Sequence, residues 1–372
     1  MQKPETEQSI LTHLGTAVPS YALNRQASVA FLERFMRLDG MAQRKLHALN
    51  QKTGIETRHS VLPLQDLDND PKGSFFSPAP RAKDEPATPD RMAVFQREAL
   101  PLAQQAVRNA RIGTDELRQV THLITVSCTG MAAPGLEFEL IEHLKLRTDV
   151  RRTNISFMGC YAAITAMASA DAICHAYPEA RVLVVVAELC TLHFQAEATE
   201  DNLLANSLFA DGAAAFLMQP NRGHKSGLMV SGFHSEVVPE AQEEMGWKIG
   251  QNGFQMRLTG AVPAHLADRL PDFVAKVARY NDGIRPQVVM HPGGKRILNQ
   301  ATRALGLTED EVAPSLSVLR DFGNMSSATI LFVLAHMLRQ RTGAQGPASS
   351  WLAMAFGPGL CIESCLLTPR YD

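Results

Sequence analysis

The sequence has almost no excess of charge of either sign. Lys and Arg number 36 and Asp and Glu 38 among 372 residues, a formal net charge of −2. So even a balance lacks the basic footprint of a nucleic-acid or anionic-membrane binder. Cysteine is sparse. Six are present, at 128, 160, 174, 190, 361 and 365, with no CxxC pair, which excludes a disulfide scaffold and gives no zinc-ligand spacing. The cysteines are expected to be reduced, and no metal is expected. No uncharged apolar run reaches the ~18 residues that span a bilayer. The longest candidate, Ile155 to Ala170, stops at Asp171. Met1 to Gln8 is polar and carries Glu5 and Glu7, unlike the basic-then-apolar pattern of an export signal. A cytoplasmic protein without membrane insertion is expected.

What is present is ample core material. Hydrophobic residues make up 45% and charged residues 20%, the balance of a globular chain. Short apolar runs, Thr121–Val126, Val182–Ala187, Gln287–Met290 and Trp351–Phe356, read as buried strands. Helix patterns lie between them, over Arg91–Ala110, Leu136–Leu144, Cys160–His175, Pro263–Tyr280, Lys295–Ala304 and Ser326–Arg341. The alternation predicts an α/β protein with largely parallel sheets. Arg58 to Asp90 is rich in proline and charge and reads as a surface loop.

An internal echo divides the chain. Phe209 to Phe216 and Phe356 to Glu363 both run from a turn into a strand. Gly159 to Ala163 and Gly323 to Thr329 both open a helix. A duplicated α/β unit is expected, 1–222 and 223–372, with the boundary near Asn221–Ser226.

Polar groups follow the apolar strands. Thr121–Val126 runs into Ser127-Cys128-Thr129-Gly130, and Ile155–Met158 into Gly159-Cys160. Gln287–Met290 runs into His291-Pro292-Gly293-Gly294, and Leu316–Leu319, read as a strand, into Phe322-Gly323-Asn324. Reactive groups gather at the carboxyl ends of strands in parallel α/β sheets. Gly159 permits a sharp strand-to-helix turn before Cys160, and seven alanines between Cys160 and Ala176 suit a closely surrounded helix. A thiol at a helix N-terminus, near an imidazole, is expected to have a lowered pKa. The plain alternatives are a core thiol for Cys160, a hydrogen-bonded core histidine for His291 and a helix N-cap for Asn324. Ser326 and Ser327 read as capping or packing hydroxyls.

The motifs Phe157-Met158-Gly159-Cys160-Tyr161-Ala162-Ala163, Met290-His291-Pro292-Gly293-Gly294 and Phe322-Gly323-Asn324-Met325-Ser326-Ser327-Ala328 occur in that order. Together with the late Phe356-Gly357-Pro358-Gly359, they resemble the type III polyketide synthases of the chalcone and stilbene synthase superfamily. The resemblance runs from about Ala17 to Glu363. It implies a thiolase fold with a five-layered αβαβα core, a homodimer, and a catalytic triad of Cys160, His291 and Asn324. It implies acyl-CoA and malonyl-CoA as substrates and no metal or redox cofactor.

Further positions carry over residue by residue. Phe209 matches the family's aromatic gatekeeper, and Met256 falls where the second gatekeeper is usually Phe. Trp247 stands where plant enzymes have a small residue, and Cys128 where they have a threonine. With Cys190 and His193 these resemble the bacterial branch and are candidates to line the substrate cavity. Lys45 and Lys52 match two basic positions for CoA phosphates, the third being Ala48. Arg296, with the Gly293–Gly294 turn, completes the CoA set. A core Phe and a charged surface helix are the plain readings of these residues. The expected product is an alkylpyrone, alkylresorcinol or small phenolic, with a fatty acyl starter favoured.

Three rivals stand beside this reading. A ketoacyl synthase III-like enzyme shares the triad but takes acyl carrier protein, and typically has Gln and Ala after the catalytic His, where this chain has Pro292 and Gly293. A Cys-His-Asn hydrolase has a compatible order but not the duplicated pattern. An inactive scaffold is at odds with a complete triad.

Overall fold

The computed structural model describes residues 8–64, 75–76, 85–224, 226–278, 281, 284–341 and 350–370. The first half begins with β1 (Ser9–Ala17), β2 (Tyr21–Asn24), α1 (Arg25–Phe35), α2 (Gly40–Thr53) and β3 (Thr57–Ser60). It continues through α3 (Thr88–Asn109), α4 (Thr114–Arg118), β4 (His122–Ser127), α5 (Leu136–His143) and β5 (Arg151–Ser156). It closes with α6 (Ala162–Ala176), β6 (Val182–Leu189), α7 (Glu200–Leu208) and β7 (Asp211–Pro220). The second half holds β8 (Gly227–Val237), β9 (Met245–Gly250), β10 (Gly253–Leu258), α8 (Val262–Ala278) and β11 (Gln287–Met290). After these come α9 (Lys295–Leu305), α10 (Glu309–Phe322), α11 (Thr329–Arg341), β12 (Trp351–Gly357) and β13 (Cys361–Arg370).

Nine strands form one sheet in the order β11-β12-β13-β8-β1-β7-β6-β4-β5. The halves meet edge to edge, where Ile10 and Leu11 of β1 pair with Met229 and Leu228 of β8. From the outer edge inward, the first half reads β5-β4-β6-β7-β1 and the second β11-β12-β13-β8. These are the same path, with the equivalent of β5 missing from the second half. In its place in the chain stands α10, so the strand read at Leu316–Leu319 is a correction. Thr308 and Glu311 form a capping box that starts a helix there, and Val312, Ser315, Val318 and Leu319 bury one helical face. Pro314 sits inside that helix, and it had obscured the helical period.

The layers follow from what each helix touches. Helix α6 packs on β4, β6 and β7 of its own half and on β13 of the other. Helix α11 packs on β11 and β12 and on β1 and β7. The two therefore form the middle layer. Ala162, Ala163, Ala166 and Ala170 of α6 are buried, so both flanking faces approach closely. Helix α3 covers β1, β6 and β7 from outside, and α8 with α9 covers the second half. The result is the αβαβα stack.

Other expectations need correction. The sheet is mixed: β4–β5, β4–β6 and β11–β12 are parallel, and the remaining pairs are antiparallel. β7 and β13 return beside their neighbours in the opposite sense, which strand–helix alternation alone does not reveal. β5 stops at Ser156, two residues before the expected end, because Phe157 takes a left-handed φ of 63°. The segment read as a loop contains β3 through Ser60 and the first turn of α3 from Thr88. Residues 65–74 and 77–84 of it, and 279–280 of the helix expected over Pro263–Tyr280, lie outside the described residues. Among the described residues, no helix is long and apolar enough to cross a membrane.

Candidate active site

Cys160 lies in the turn between β5 and α6 and is 8% exposed. Gly159 ahead of it has φ 86°, and a Cβ there would meet Pro358 Cδ at 2.2 Å. Only glycine fits so close an approach, which comes from the Phe356–Gly359 loop of the other half. Ser326, on the far side of the site, is also left-handed at φ 48°. Two non-glycine residues, Phe157 and Ser326, thus hold disfavoured backbone beside one thiol.

The thiol is not depressed as the sequence suggested. Burial pushes Cys160 up to about 12, against hydrogen bonds from Ser326 and Asn324 that pull it down. Regular helix begins only at Ala162, and burial outweighs the help of the helix end.

His291 follows β11 and is 1% exposed. Neither ring nitrogen has a hydrogen-bond partner among the described residues. Burial alone lowers its pKa to about 3, so the imidazole is neutral. A buried polar group left unmatched costs about 1–3 kcal/mol. Both ring nitrogens of His291 are in that position.

Asn324 is held on all sides. Its N–H donates to Leu208 O at 2.9 Å and its carbonyl accepts from Ala210 N–H at 2.9 Å. Its Oδ1 accepts from Ser326 N–H at 2.9 Å, although Met325 and not Asn324 is the N-cap of the short helix that follows. Its Nδ2 donates to Gly293 O at 3.2 Å, tying it to the His291 turn. That orients the amide so that Nδ2 also faces the thiol.

Cys160, Cys128, Cys190, Phe209, Trp247, Met256 and Ser326 line one cavity. Ser326 is therefore a cavity residue, not only a capping hydroxyl. A second chamber shares Cys190, Phe209, Trp247 and Met256 with the first, so these four form the wall between them. Trp247 and Met256 are cross-strand partners on the β9–β10 hairpin. His193 lines the second chamber with both nitrogens committed. Nε2 donates to Thr129 O at 2.7 Å, and Nδ1 accepts from Phe254 N–H at 3.0 Å. Burial lowers its pKa to about 3.

Cys128 supports the turn that carries Cys160. Gly159 N–H donates to its sulfur at 2.9 Å, and its S–H donates back to Gly159 O at 3.4 Å. Its own N–H donates to Glu188 Oε2 at 2.9 Å. Glu188 is fully buried and also accepts from Thr129 Oγ1 at 3.0 Å and from Ser327 Oγ. Burial raises its pKa. Glu188 was missed in the sequence, though a carboxylate ending the apolar run Val182–Ala187 was a signal in plain view.

The CoA candidates divide. Lys45 is paired with Glu200 at 2.8 Å on the surface. Lys52 and Arg296 have no ion-pair partner among the described residues. Lys295, missed earlier, lies over the C-cap of α2, its Cδ 3.1 Å from where a Cβ on Gly54 would stand. Lys295 of α9 thus lies against the C-terminal end of α2, the helix that carries Lys52. Among the described residues, no group of His, Cys, Asp and Glu could hold a metal ion.

Residues 1–221 match the N-terminal domain of chalcone and stilbene synthases, and residues 230–369 match the C-terminal domain. The chain belongs to the chalcone and stilbene synthase family, the type III polyketide synthases. The synthase is 28% identical over 373 residues to the alpha-pyrone synthesis polyketide synthase-like Pks18 of Mycobacterium tuberculosis, covering 98% of this chain and 92% of that one. It superposes on PKS-I from the brown alga Ectocarpus siliculosus with TM-score 0.87 and 25% identity, over 97% of this chain and 98% of the other. The C-terminal type III polyketide synthase domain of Steely1 from Dictyostelium gives TM-score 0.87 and 27% identity, over 98% and 100%. The hydrolase and scaffold readings fall with these matches.

Proposed function

We propose that the synthase loads an acyl group from acyl-CoA onto Cys160 and extends it with malonyl-CoA by decarboxylative Claisen condensation. The observation that carries this is a buried thiol hydrogen-bonded by the Asn324 amide, whose Nδ2 is also tied to the turn that follows a buried imidazole with two unengaged nitrogens. His291 takes the Cys160 proton as the sulfur attacks the thioester, and returns it to the departing CoA thiolate. His291 and Asn324 then donate to the malonyl thioester carbonyl. They stabilise the enolate formed as carbon dioxide leaves. The enolate carbon attacks the Cys160 thioester, and the C–S bond to the enzyme breaks. Decarboxylation supplies the carbanion, so the scheme calls on no metal or redox group.

The halves 1–222 and 223–372 divide this work, the first supplying the nucleophile and the second the two hydrogen-bond donors. We infer a fatty acyl starter and an alkylpyrone, alkylresorcinol or small phenolic product. Phe31, Leu32, Leu64 and Phe194 give the second chamber apolar walls suited to an alkyl chain. The same reading places the work in the cytoplasm, where CoA thioesters are the substrates. A homodimer is supported by β5, an edge strand whose residues Arg151 to Asn154 are exposed. Met131, Phe138 and Tyr177 are large exposed apolar groups, with Arg152 over Phe138 and Arg151 over Tyr177 beside that edge.

The decisive experiment is Cys160→Ala, assayed with malonyl-CoA and acyl-CoAs of graded length by mass spectrometry. Acyl loading and product are lost while decarboxylation of malonyl-CoA persists. Polyketide formation by that variant overturns the assignment.

A further inference from the structure

A buried cation stands behind the site and takes no part in the scheme above. Arg58, on β3, is 7% exposed. It donates to the carbonyls of Asn206 at 2.5 Å and Phe209 at 2.8 Å, and to Ser28 Oγ. Asn206 is in the last turn of α7 and Phe209 is its C-cap, so these are carbonyls a helix leaves without partners. The guanidinium closes the end of α7 from the side.

The segment it closes is the one that holds Asn324. Phe209 and Asn324 form a parallel bridge outside the main sheet. The stem of Arg58 touches the other strand of that bridge. A Cβ on Gly323 would come within 3.1 Å of both Arg58 Cγ and Leu208 O, and Gly323 holds φ 72°. Arg58 therefore contacts both backbones that set where the Asn324 amide points. Burial lowers its pKa to about 10, with the Asp211 carboxylate acting in the opposite direction, so it is charged at neutral pH. Asp211 in turn accepts from Val61 N–H at 2.8 Å, three residues beyond Arg58, and fixes the β3 end.

We propose that Arg58 is a positioning residue, which holds the Phe209 and Asn324 backbones in register so that the amide meets the malonyl thioester carbonyl. The proposal rests on the role given to Asn324 above. A methionine of similar length would fill the same space and leave two carbonyls unmatched. A lysine would keep the charge but has one nitrogen, and so could not serve the two carbonyls as Nη1 does and Ser28 Oγ as Nη2 does.

The test compares Arg58→Met and Arg58→Lys with the unaltered enzyme, per folded molecule by circular dichroism. Two rates are read: malonyl-CoA decarboxylation, and alkylation of Cys160 by iodoacetamide. The first needs the Asn324 amide on the malonyl carbonyl, whereas the second reads the thiol, to which Asn324 gives only the smaller of two side-chain hydrogen bonds, after Ser326. Decarboxylation is expected to fall about 100-fold in Arg58→Met, the loss typical of an ångström-scale misplacement. Arg58→Lys recovers part of it, and alkylation stays within about threefold in both, a change too small for lost catalytic geometry. Equal loss of both rates, or no loss of decarboxylation, overturns the proposal. Should Arg58→Met not fold, Arg58→Lys decides by the same comparison. Asn324→Ala is the separate control. If that variant decarboxylates malonyl-CoA at the unaltered rate, the site reading fails, and the proposal fails with it.

Discussion

Trp247 Nε1 donates to the carbonyl oxygen of Cys128 at 2.8 Å. This one bond joins the β9–β10 hairpin, which forms a cavity wall, to the residue whose sulfur clamps Gly159. Wall and nucleophile turn are thereby mechanically linked.

Trp247→Phe keeps an aromatic wall and removes the donor. Leaving the Cys128 carbonyl unmatched is expected to cost about 1–3 kcal/mol, read as a lower urea midpoint. Acyl loading slows while product length stays the same. Trp247→Ala also enlarges the cavity and lengthens the product by at least one malonyl unit, read by mass spectrometry. Unchanged products from both variants would remove Trp247 from the wall.

With His291 as the base proposed above, the ionisation of Cys160 is expected to depend on it, because burial holds the thiol near 12. The rate of alkylation by iodoacetamide against pH reports the thiolate fraction. In His291→Gln the midpoint is expected to move up, with the rate still climbing above pH 9. A profile that coincides with the unaltered enzyme would exclude His291 as the base.

Glu188 accepts from Cys128 N–H, Thr129 Oγ1 and Ser327 Oγ. Glu188→Gln turns an amide NH2 toward at least one of these donors. A loss of about 1–3 kcal/mol in urea unfolding is expected, with slower acylation of Cys160. Wild-type stability in this variant would show the network to be dispensable.

His193 is held neutral, with a pKa of about 3 against an unfolded value near 6.5. A depressed folded pKa means the unfolded chain binds the proton first. Stability from this group is therefore present above pH 6.5 and lost as pH falls toward 3. Between pH 7 and 5 the loss comes to about 2 kcal/mol. His193→Gln lacks this titration and is expected to lose less stability over that interval in paired urea melts. Asp211, raised to about 6 by burial, acts in the opposite direction but is present in both proteins, so it cancels.

Lys52→Ala and Arg296→Ala are each expected to raise the KM for malonyl-CoA about fivefold, equivalent to about 1 kcal/mol. The KM for the malonyl thioester of N-acetylcysteamine, which has no phosphates, stays unchanged. Lys45→Ala has a smaller effect, because Glu200 already holds that ammonium. Equal changes with both thioesters would remove these cations from the phosphate site.

Much of the site was legible because its chemistry is local. Gly159 before Cys160, Pro292–Gly294 after His291 and Gly323 before Asn324 each announce a tight turn at a reactive residue. The internal echo announced the repeated path of the strands. It failed at Leu316–Leu319, where an apolar run of four suits a strand or one face of a helix equally well. There the Thr308–Glu311 capping box decided for the helix.

By itself, then, the sequence determined which residues are proposed as the nucleophile and its two partners, and the α/β duplication, since residue type and turn chemistry are written in short stretches of chain. Only the tertiary structure decided which histidine is open. His193 and His291 are both buried and neutral, but one has spent its two nitrogens on Thr129 and Phe254 and the other has spent none. It alone decided that Cys128 clamps Gly159, that Glu188 anchors Cys128 and that Arg58 backs Asn324. The hydrogen bonds behind these roles join residues 31 to 151 positions apart, and their geometry exists only once the two halves of the sheet close on α6 and α11.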